Sequence, residues 1–554
     1  MLHAAIMNSY PKDLVAATKI LFILVLSLWA LLTFSLPLAV LSRRRQRVDA
    51  IPHRESCRTA PGFRQRTILI SEVGTAKGLT LARAFYLCGH RVIGVDSHHL
   101  SPGRFSRALA SFHRLRIPAL HSQNNPANAL SALRRYSHSF GKILRDEQVD
   151  IWVSCVGDDL AFSTSRVKEM VEARNTRCRC IMLESDMASK LLNPFRFIKH
   201  ASNIGLAARV PETHQVISTE QVALHLFNAT SMQRDPLPPR HFILKPSDTA
   251  GAYEPHVING ASYRLPQPRG KSLEEFLAEG KFATKGATES WVLQQHMRPV
   301  LQFRTHALVI RGRVALFIAA PVNKKVLEMR YYFAESPEND AYAQMLQFTK
   351  DFARGSRPAY QPMTGHLSFD FIAVDEANPA ATGQNNATTT PAGKLKLYAY
   401  AGSPCVRTAV VMMSTPGTQM RAMVDAYLSV LDEPRRGNDG IYRGALPRSL
   451  ATANIMHDGE LTDVITPPPN PYRRFRGGYH VLNLVIRHAW EFLIVERSTR
   501  ALMAFRNGLA VCRDRFRTSK EATFEDWDPM PFLVYHHLQW TWEVVRDLLL
   551  AARR

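Results

Sequence analysis

From Arg66 onward, short apolar runs alternate with amphipathic stretches. RTILISEV is apolar enough for a buried strand, GTAKGLTLARAFYLCGH carries its apolar residues at helical spacing, and RVIGVDS is a second strand. VDIWVSCVG and CRCIML repeat the strand pattern, with helical segments between them. Runs apolar on both faces and separated by helices are those of parallel strands covered on both sides. The pattern therefore predicts an α/β chain that starts with a doubly wound domain over 66–182. Gly74 and Gly78, with Asp96 at the end of the second strand, suggest a dinucleotide site. The G-x-G-x-x-G spacing is missing and no Tyr-x-x-x-Lys pair occurs, so these glycines are expected to serve the tight strand-to-helix turn.

From about Leu183 the texture changes. NPFRFIKHASNIGLAARVPETH reads as a helix ending before an extended segment, and HFILKPSDTAGAY as a strand running into a small-residue loop. SWVLQQHMRP and QFRTHALVIRGRVALFIAAP read as antiparallel strands joined by short turns. HLSFDFIAV and KLKLYAYAGSP form a further pair, separated by EANPAATGQNNATTTPAG, which is poor in large apolar residues and suits a long connection. The pattern divides the rest of the chain into an α+β domain over 183–435 and an α-rich region over 436–554. In that last region HVLNLVIRHAWEFLIV and FLVYHHLQWTWEVVRDLLLAARR carry apolar and aromatic residues at helical spacing. Core packing is the expectation there, and a helix lying in a membrane interface is the alternative.

One run departs from this alternation. Ile20 to Ser42 contains no charged residue and is followed by Arg43, Arg44, Arg45 and Arg47. Its length suits a hydrocarbon core of about 30 Å, and the basic flank places the larger part of the chain in the cytosol. A cleaved signal peptide would have a shorter apolar region and no arginine cluster after it. The expectation is a single membrane anchor within 1–42, a basic linker over 43–65 and cytosolic domains beyond.

Composition agrees. The seven cysteines are odd in number and scattered, which favours reduced thiols over a disulfide framework, and Cys178 with Cys180 is a lone C-x-C without zinc-type spacing. The sequons at Asn228 and Asn386 then lie on the side of the membrane where they go unused. A formal net charge of +23 would attract phosphate, nucleic acid or an anionic membrane. The basic residues are spread along the chain, however, and no nucleic-acid module is visible, so no nucleic-acid partner is expected.

Candidate chemistry lies in the second domain. Lys245, at a strand's end beside a small-residue loop, is well placed to hold nucleotide phosphates. Residues two apart share one face of a strand, so positions 401 and 403 stand beside Asp370 of the neighbouring strand. An acid and an amide there would complete a magnesium site. The chain has Ala401 and Ser403, leaving Asp370 as the hard ligand.

The order of these segments resembles the ATP-grasp superfamily, and is most similar to the membrane-anchored ATP-grasp proteins of fungal secondary metabolism and to the ligase that forms mycosporine-glycine. The resemblance runs from about Arg66 to the terminal EDWDPMPFLVYHHLQW, similar to that group's Asp-Pro-Leu-Pro-Phe tail. It implies a doubly wound pre-ATP-grasp domain, a two-lobed ATP-grasp domain, ATP and Mg2+ as cofactors, and transfer of the γ-phosphoryl group to a carboxylate or enolate before an amine displaces phosphate. By position it implies a phosphate-binding role for Lys245, a covering loop from Ser247 to Gly251, an adenine-hinge role for Gln295 in place of glutamate, and metal binding by Asp370. The chain departs from the pattern at Pro194, where a second ATP lysine is usual, at Gln302 for the ribose acid, and at Ala401, Ser403 and Cys405 for Glu, Asn and Arg. Arg407 would restore the missing cation at an acyl-phosphate oxygen, and Asp248 or Glu254 the missing acid. Two functions follow: an ATP-dependent ligase joining an amine or amino acid to a carboxylate or enolised carbonyl, or a degenerate ATP-grasp protein acting as a membrane-bound partner in a biosynthetic pathway.

Overall fold

The structure is a computed structural model that describes residues 50–118, 126–174, 177–218, 220–222, 224–225, 241–246, 263–265, 291–297, 301–322, 331–332, 340–356, 362–375, 395–432, 435–436, 442–443, 456–457, 460–461, 464–467, 474–476, 519–521, 523–539, 541–542 and 546. After helix α1 (Ala50–Thr59) come β1 (Thr67–Ser71), α2 (Ala76–Leu87), β2 (Arg91–Asp96), β3 (Ser111–Arg114), α3 (Pro126–Asp146), β4 (Ile151–Ser154), α4 (Asp158–Glu172) and β5 (Arg179–Ile181). The five strands form a parallel sheet in the order β3-β2-β1-β4-β5.

The apolar runs become central strands because both faces are covered. Ile68 and Ile70 pack with Leu81 and Phe85 of α2, while Leu69 packs with Phe140 of α3 and Val167 of α4 on the other side. Edge strand β3, SFHR, is only half buried, and its lack of an apolar run hid it in the sequence. The glycines serve the turn as expected. A Cβ at Gly78 would stand 2.5 Å from the Glu72 carbonyl, and Gly74 donates its N–H to Asp96 at 2.9 Å.

Next come α5 (Ser185–Leu192), α6 (Pro194–Ala201), β6 (Thr213–Val216), β7 (His241–Pro246), β8 (Tyr263–Leu265), β9 (Trp291–His296), β10 (Leu301–Ile310), β11 (Arg313–Pro321), β12 (Tyr331–Tyr332), α7 (Asp340–Gly355), β13 (Gly365–Asp375), β14 (Leu395–Ser403) and α8 (Thr418–Leu428). Apart from β12, these strands build two four-stranded sheets, β6-β9-β7-β8 and β11-β10-β13-β14. One expectation is corrected here. β9 does not pair with β10: it lies between β6 and β7, and β10 pairs with β11 and β13. β10 and β11 do form a tight hairpin, turned by Arg311 and Gly312 with φ of 51° and 75°, the left-handed pair that a two-residue hairpin favours.

Strand alternation gives the second sheet two unlike faces. Phe303, Phe317, Phe369 and Phe371 pack against α6 and α7, with Phe197, Phe348 and Phe352. The opposite face carries Leu308, Leu316 and Ile318 into the same core as Ile68, Ile70 and Tyr427 of α8. The parallel domain and this sheet thus share one apolar core.

The terminal motif docks on the first domain. Asp528, fully buried, accepts from Arg83 Nε at 2.9 Å, Ser106 Oγ at 2.6 Å and the Arg107 N–H at 2.9 Å, and Trp527 stacks on Tyr86. Among the described residues no helix is long and apolar enough to cross a membrane. The run 20–42 and HVLNLVIRHAWEFLIV lie outside them.

Candidate functional site

The face of β10, β13 and β14 turned toward the parallel domain carries a chain of polar groups. β13 and β14 pair with Asp370 opposite Ala401 and Ser368 opposite Ser403, as the sequence led us to expect. A Cβ at Gly402 would stand 2.7 Å from Leu191 of α5, so position 402 faces the helices and its neighbours face the site. Tyr400 is left over at a bulge beside Asp370. It packs with Ala401, Met297 and Ile372 in a small apolar cluster. Ala401 therefore sits in an apolar patch, a setting that would penalise an unpaired carboxylate.

Asp370 is paired. Arg304, directly opposite on β10, donates Nε to Oδ1 at 2.6 Å and Nη2 to Oδ2 at 2.7 Å. Asp370 is nearly inaccessible, and the charge and hydrogen bonds of its carboxylate hold Arg304 more firmly protonated despite burial. This fork occupies both carboxylate oxygens in the plane.

A second pair links the sheet to the parallel domain. Asp158 begins α4, just beyond β4, where ligands of open α/β sheets bind. It accepts from Ser403 Oγ at 2.5 Å and Arg407 Nη1 at 3.0 Å, and Arg407 Nε donates to Ser368 Oγ at 3.0 Å. Burial alone would raise the Asp158 carboxyl, but Arg407 and the hydrogen bonds from Ser403, Cys405 and Arg407 bring it below its usual value. Burial pushes the Cys405 thiol up to about 12, which keeps it protonated and unreactive.

Behind these pairs the layer is buried and polar. Lys77 of α2 donates to the carbonyls of Val156 and Val406, at 2.8 and 3.0 Å, tying the parallel domain to the segment after β14. His366 hydrogen-bonds Tyr427 at 3.0 Å and stacks on His306, which has no hydrogen-bond partner among the described residues. Burial, with Lys77 and Arg407 nearby, lowers His306 to about 3, so it is neutral at physiological pH. Glu72, in the left-handed region at φ 52° after β1, is raised to about 7 by burial and by the charges of Asp96 and Asp159.

The other sequence-derived residues lie elsewhere. Lys245 stands next to the last residue of β7, opposite Val292, and its side chain lies outside the described residues, as do Ser247, Asp248, Gly251 and Glu254. Gln295 stands on β9 opposite Phe242, its Oε1 accepting from the Glu212 N–H at 3.4 Å. Pro194 starts α6, capped by Asn193, whose Oδ1 accepts from the Arg196 N–H at 3.0 Å. Gln302 lies on β10 opposite Ile372. The structure thus brings together Asp370, Arg407, Ala401 and Ser403. Lys245 and Gln295 share the other sheet.

Sequence reasoning missed Arg304, Asp158, Ser368 and Lys77. Signals existed for two of them. VGDDL places acids directly after a buried strand, and Arg304 stands two residues beyond Gln302 on the same strand face. The described donors around Asp370 do not fit an oxygen-coordinated Mg2+. Asp370 is forked to Arg304, Asp158 is held by Ser403 and Arg407, and Ala401 offers no ligand.

No protein-family model matches the chain, and no curated protein matches it. Among solved structures it is similar to the N5-carboxyaminoimidazole synthetase from Staphylococcus aureus complexed with ADP, at 11% identity and TM-score 0.41, covering 63% of this chain and 72% of that one. It is also similar to the L-amino acid ligase from Bacillus licheniformis, at 11% identity and TM-score 0.39, covering 72% and 78%. The phosphoribosylglycinamide synthetase from Anaerococcus prevotii gives 13%, 0.39, 62% and 69%. These likenesses are distant, and the functional reading rests on the chain's own residues.

Proposed function

We propose that the protein is an ATP-grasp-type ligase, using ATP to join an amine or amino acid to a carboxylate or enolised carbonyl in small-molecule biosynthesis. We further propose that residues 20–42 hold it at a membrane with its domains in the cytosol. One observation carries the ligase reading. Beyond the carboxyl ends of the parallel strands, where Asp158 stands, the adjoining sheet face presents Arg304, Asp370 and Arg407. The carboxyl ends of parallel strands are where α/β proteins take small ligands. Two guanidinium groups there suit the carboxylate of an acceptor and the phosphate that activates it. Lys245 would hold nucleotide phosphates from the other sheet, with the loop from Ser247 to Gly251 over them and Gln295 at the base.

A second reading is favoured by the Arg304 fork. With Asp370 closed and Ala401 in an apolar patch, the protein would bind nucleotide or product without turnover and serve as a partner for other enzymes. Titration of the detergent-solubilised full chain with ATP, with magnesium and with excess chelator, separates the readings, together with ADP release in the presence of candidate amines and carboxylates. In the ligase reading Lys245→Ala weakens ATP roughly ten- to a hundredfold, and Arg304→Met abolishes amine-dependent ADP release. In the partner reading the parent releases no ADP, and Arg304→Met, by freeing Asp370, makes ATP binding magnesium-dependent. Absence of nucleotide binding in the parent would refute both.

A further inference from the structure

His53 and Cys57 stand one turn apart on α1, and Cys88 caps α2 at its C-terminal end. The His53 Nε2, Cys57 Sγ and Cys88 Sγ atoms lie within 4.8 Å of one another, with 3.8 Å between Cys57 Sγ and His53 Nε2. No other trio of His, Cys, Asp or Glu ligand atoms closes this tightly among the described residues. We propose that these three side chains form a binding site for a thiophilic closed-shell cation, with Zn2+ as the probe, stapling α1 to the parallel domain.

Geometry and electrostatics support the site independently. Ligand bonds of about 2.0–2.3 Å in a tetrahedron put neighbouring ligand atoms roughly 3.5–3.8 Å apart, so small side-chain movements suffice. Two thiolates neutralise a divalent cation, and one imidazole leaves a fourth position for water or another donor. Cys57 stands in the last turn of α1 and Cys88 closes α2. The two helix C-termini thus converge, and their negative dipole ends favour a cation between them. The charged groups that face the thiols from α8 are Arg421 and Asp425.

The cage does not depend on metal for its assembly. Both thiols are buried, and the guanidinium of Arg54 lies 3.8 Å over the Tyr86 ring while donating to the Tyr86 carbonyl. At Gly89, φ is +94°, and a Cβ would stand 2.8 Å from both Arg58 and Phe63. Packing therefore holds α1 against the end of α2 and presents the ligands already gathered. Preorganisation of this kind lowers the ordering cost of binding.

The test uses the full chain purified metal-free under reducing conditions and titrated with Zn2+ against a chromogenic chelator. One zinc per chain is expected, with affinity falling on the order of a hundredfold or more in Cys57→Ser/Cys88→Ser. In the unmodified chain, Co2+ in place of zinc should give intense thiolate-to-metal charge-transfer absorption, a readout that does not depend on how well the variant folds. A parent that takes up no zinc overturns the site. So does zinc affinity unchanged by the double substitution, a cobalt spectrum without thiolate absorption, or a Cys57–Cys88 disulfide that persists under the reducing conditions.

Discussion

Asp528→Asn isolates the energetic role of the terminal motif. The parent carboxylate accepts three hydrogen bonds, from Arg83 Nε, Ser106 Oγ and the Arg107 N–H. The remaining Arg83 donors reach the carbonyls of Thr523 and Asp528 at 2.9 and 2.8 Å. Asparagine keeps the shape but removes the charge and turns one acceptor into a donor facing donors. Arg83, 4% exposed, then holds a buried cation without its Asp528 counter-charge. Breaking one side of such a pair costs about 3–5 kcal/mol. In a domain of this size that lowers the melting temperature on the order of 10 °C. Thermal melts of the full chain should record the shift, and limited proteolysis should show faster cleavage between Glu521 and Trp542. The paired change Arg83→Met with Asp528→Leu, which removes both charges and keeps apolar volume, should recover most of the loss, because a buried pair replaced as a unit is close to neutral. An Asp528→Asn chain that melts within 2 °C of the parent would refute the reasoning. So would Arg83→Met and Asp528→Leu effects that simply add.

Glu72→Gln and His306→Gln probe the two oppositely shifted buried groups. Raising Glu72 from 4.5 to about 7 stabilises the fold below pH 4.5 relative to pH above 7, and the difference lost as pH rises through 7 is at most about 3 kcal/mol. Glu72→Gln should therefore gain on the parent in urea unfolding at pH 8 and not at pH 5; an equal offset at both values would show that Glu72 does not titrate between them. His306 is lowered from 6.5 to about 3, so its contribution is complete above 6.5 and declines as pH falls toward 3, a loss of about 3 kcal/mol by pH 4. His306→Gln should flatten that acid limb, and a Glu72→Gln chain whose stability is unchanged from pH 7 to pH 4 would contradict it.

The parallel domain was legible because each central strand is a run of four to six residues that must be apolar on both faces, as Ile68, Leu69 and Ile70 are. Edge strand β3 escaped because one side meets solvent and no apolar run is required. The partner of β9 was misjudged for another reason: strand character is local, but sheet membership depends on where the chain goes between strands. The same limit hid the site's wiring. Asp370 and its neighbours at 401 and 403 follow from alternation in two adjacent segments. Its partner Arg304 is 66 residues away, and the Asp158 that binds Arg407 is 249 away. Those contacts need a register that residue types do not encode one at a time. Cys57 and Cys88, 31 positions apart, form no recognisable metal spacing, and only the docking of α1 on the end of α2 brings them together.

The shared core has a mechanical consequence. Ile68 of the parallel sheet and Leu308 and Ile318 of the antiparallel sheet belong to one apolar cluster, pinned at its polar edge by Lys77. The buried apolar residues of the Lys245 sheet, Phe242, Leu244, Val292 and Leu293, enter neither that core nor the phenylalanine core beneath the Asp370 strands. The parallel domain and the Asp370 sheet are thus one packed body. Hinge motion costs least where packed surface is smallest. Parting the parallel domain from the Asp370 sheet would expose that shared core to water, so the two move as one and the Arg304–Asp370 and Arg407–Asp158 pairs keep their spacing.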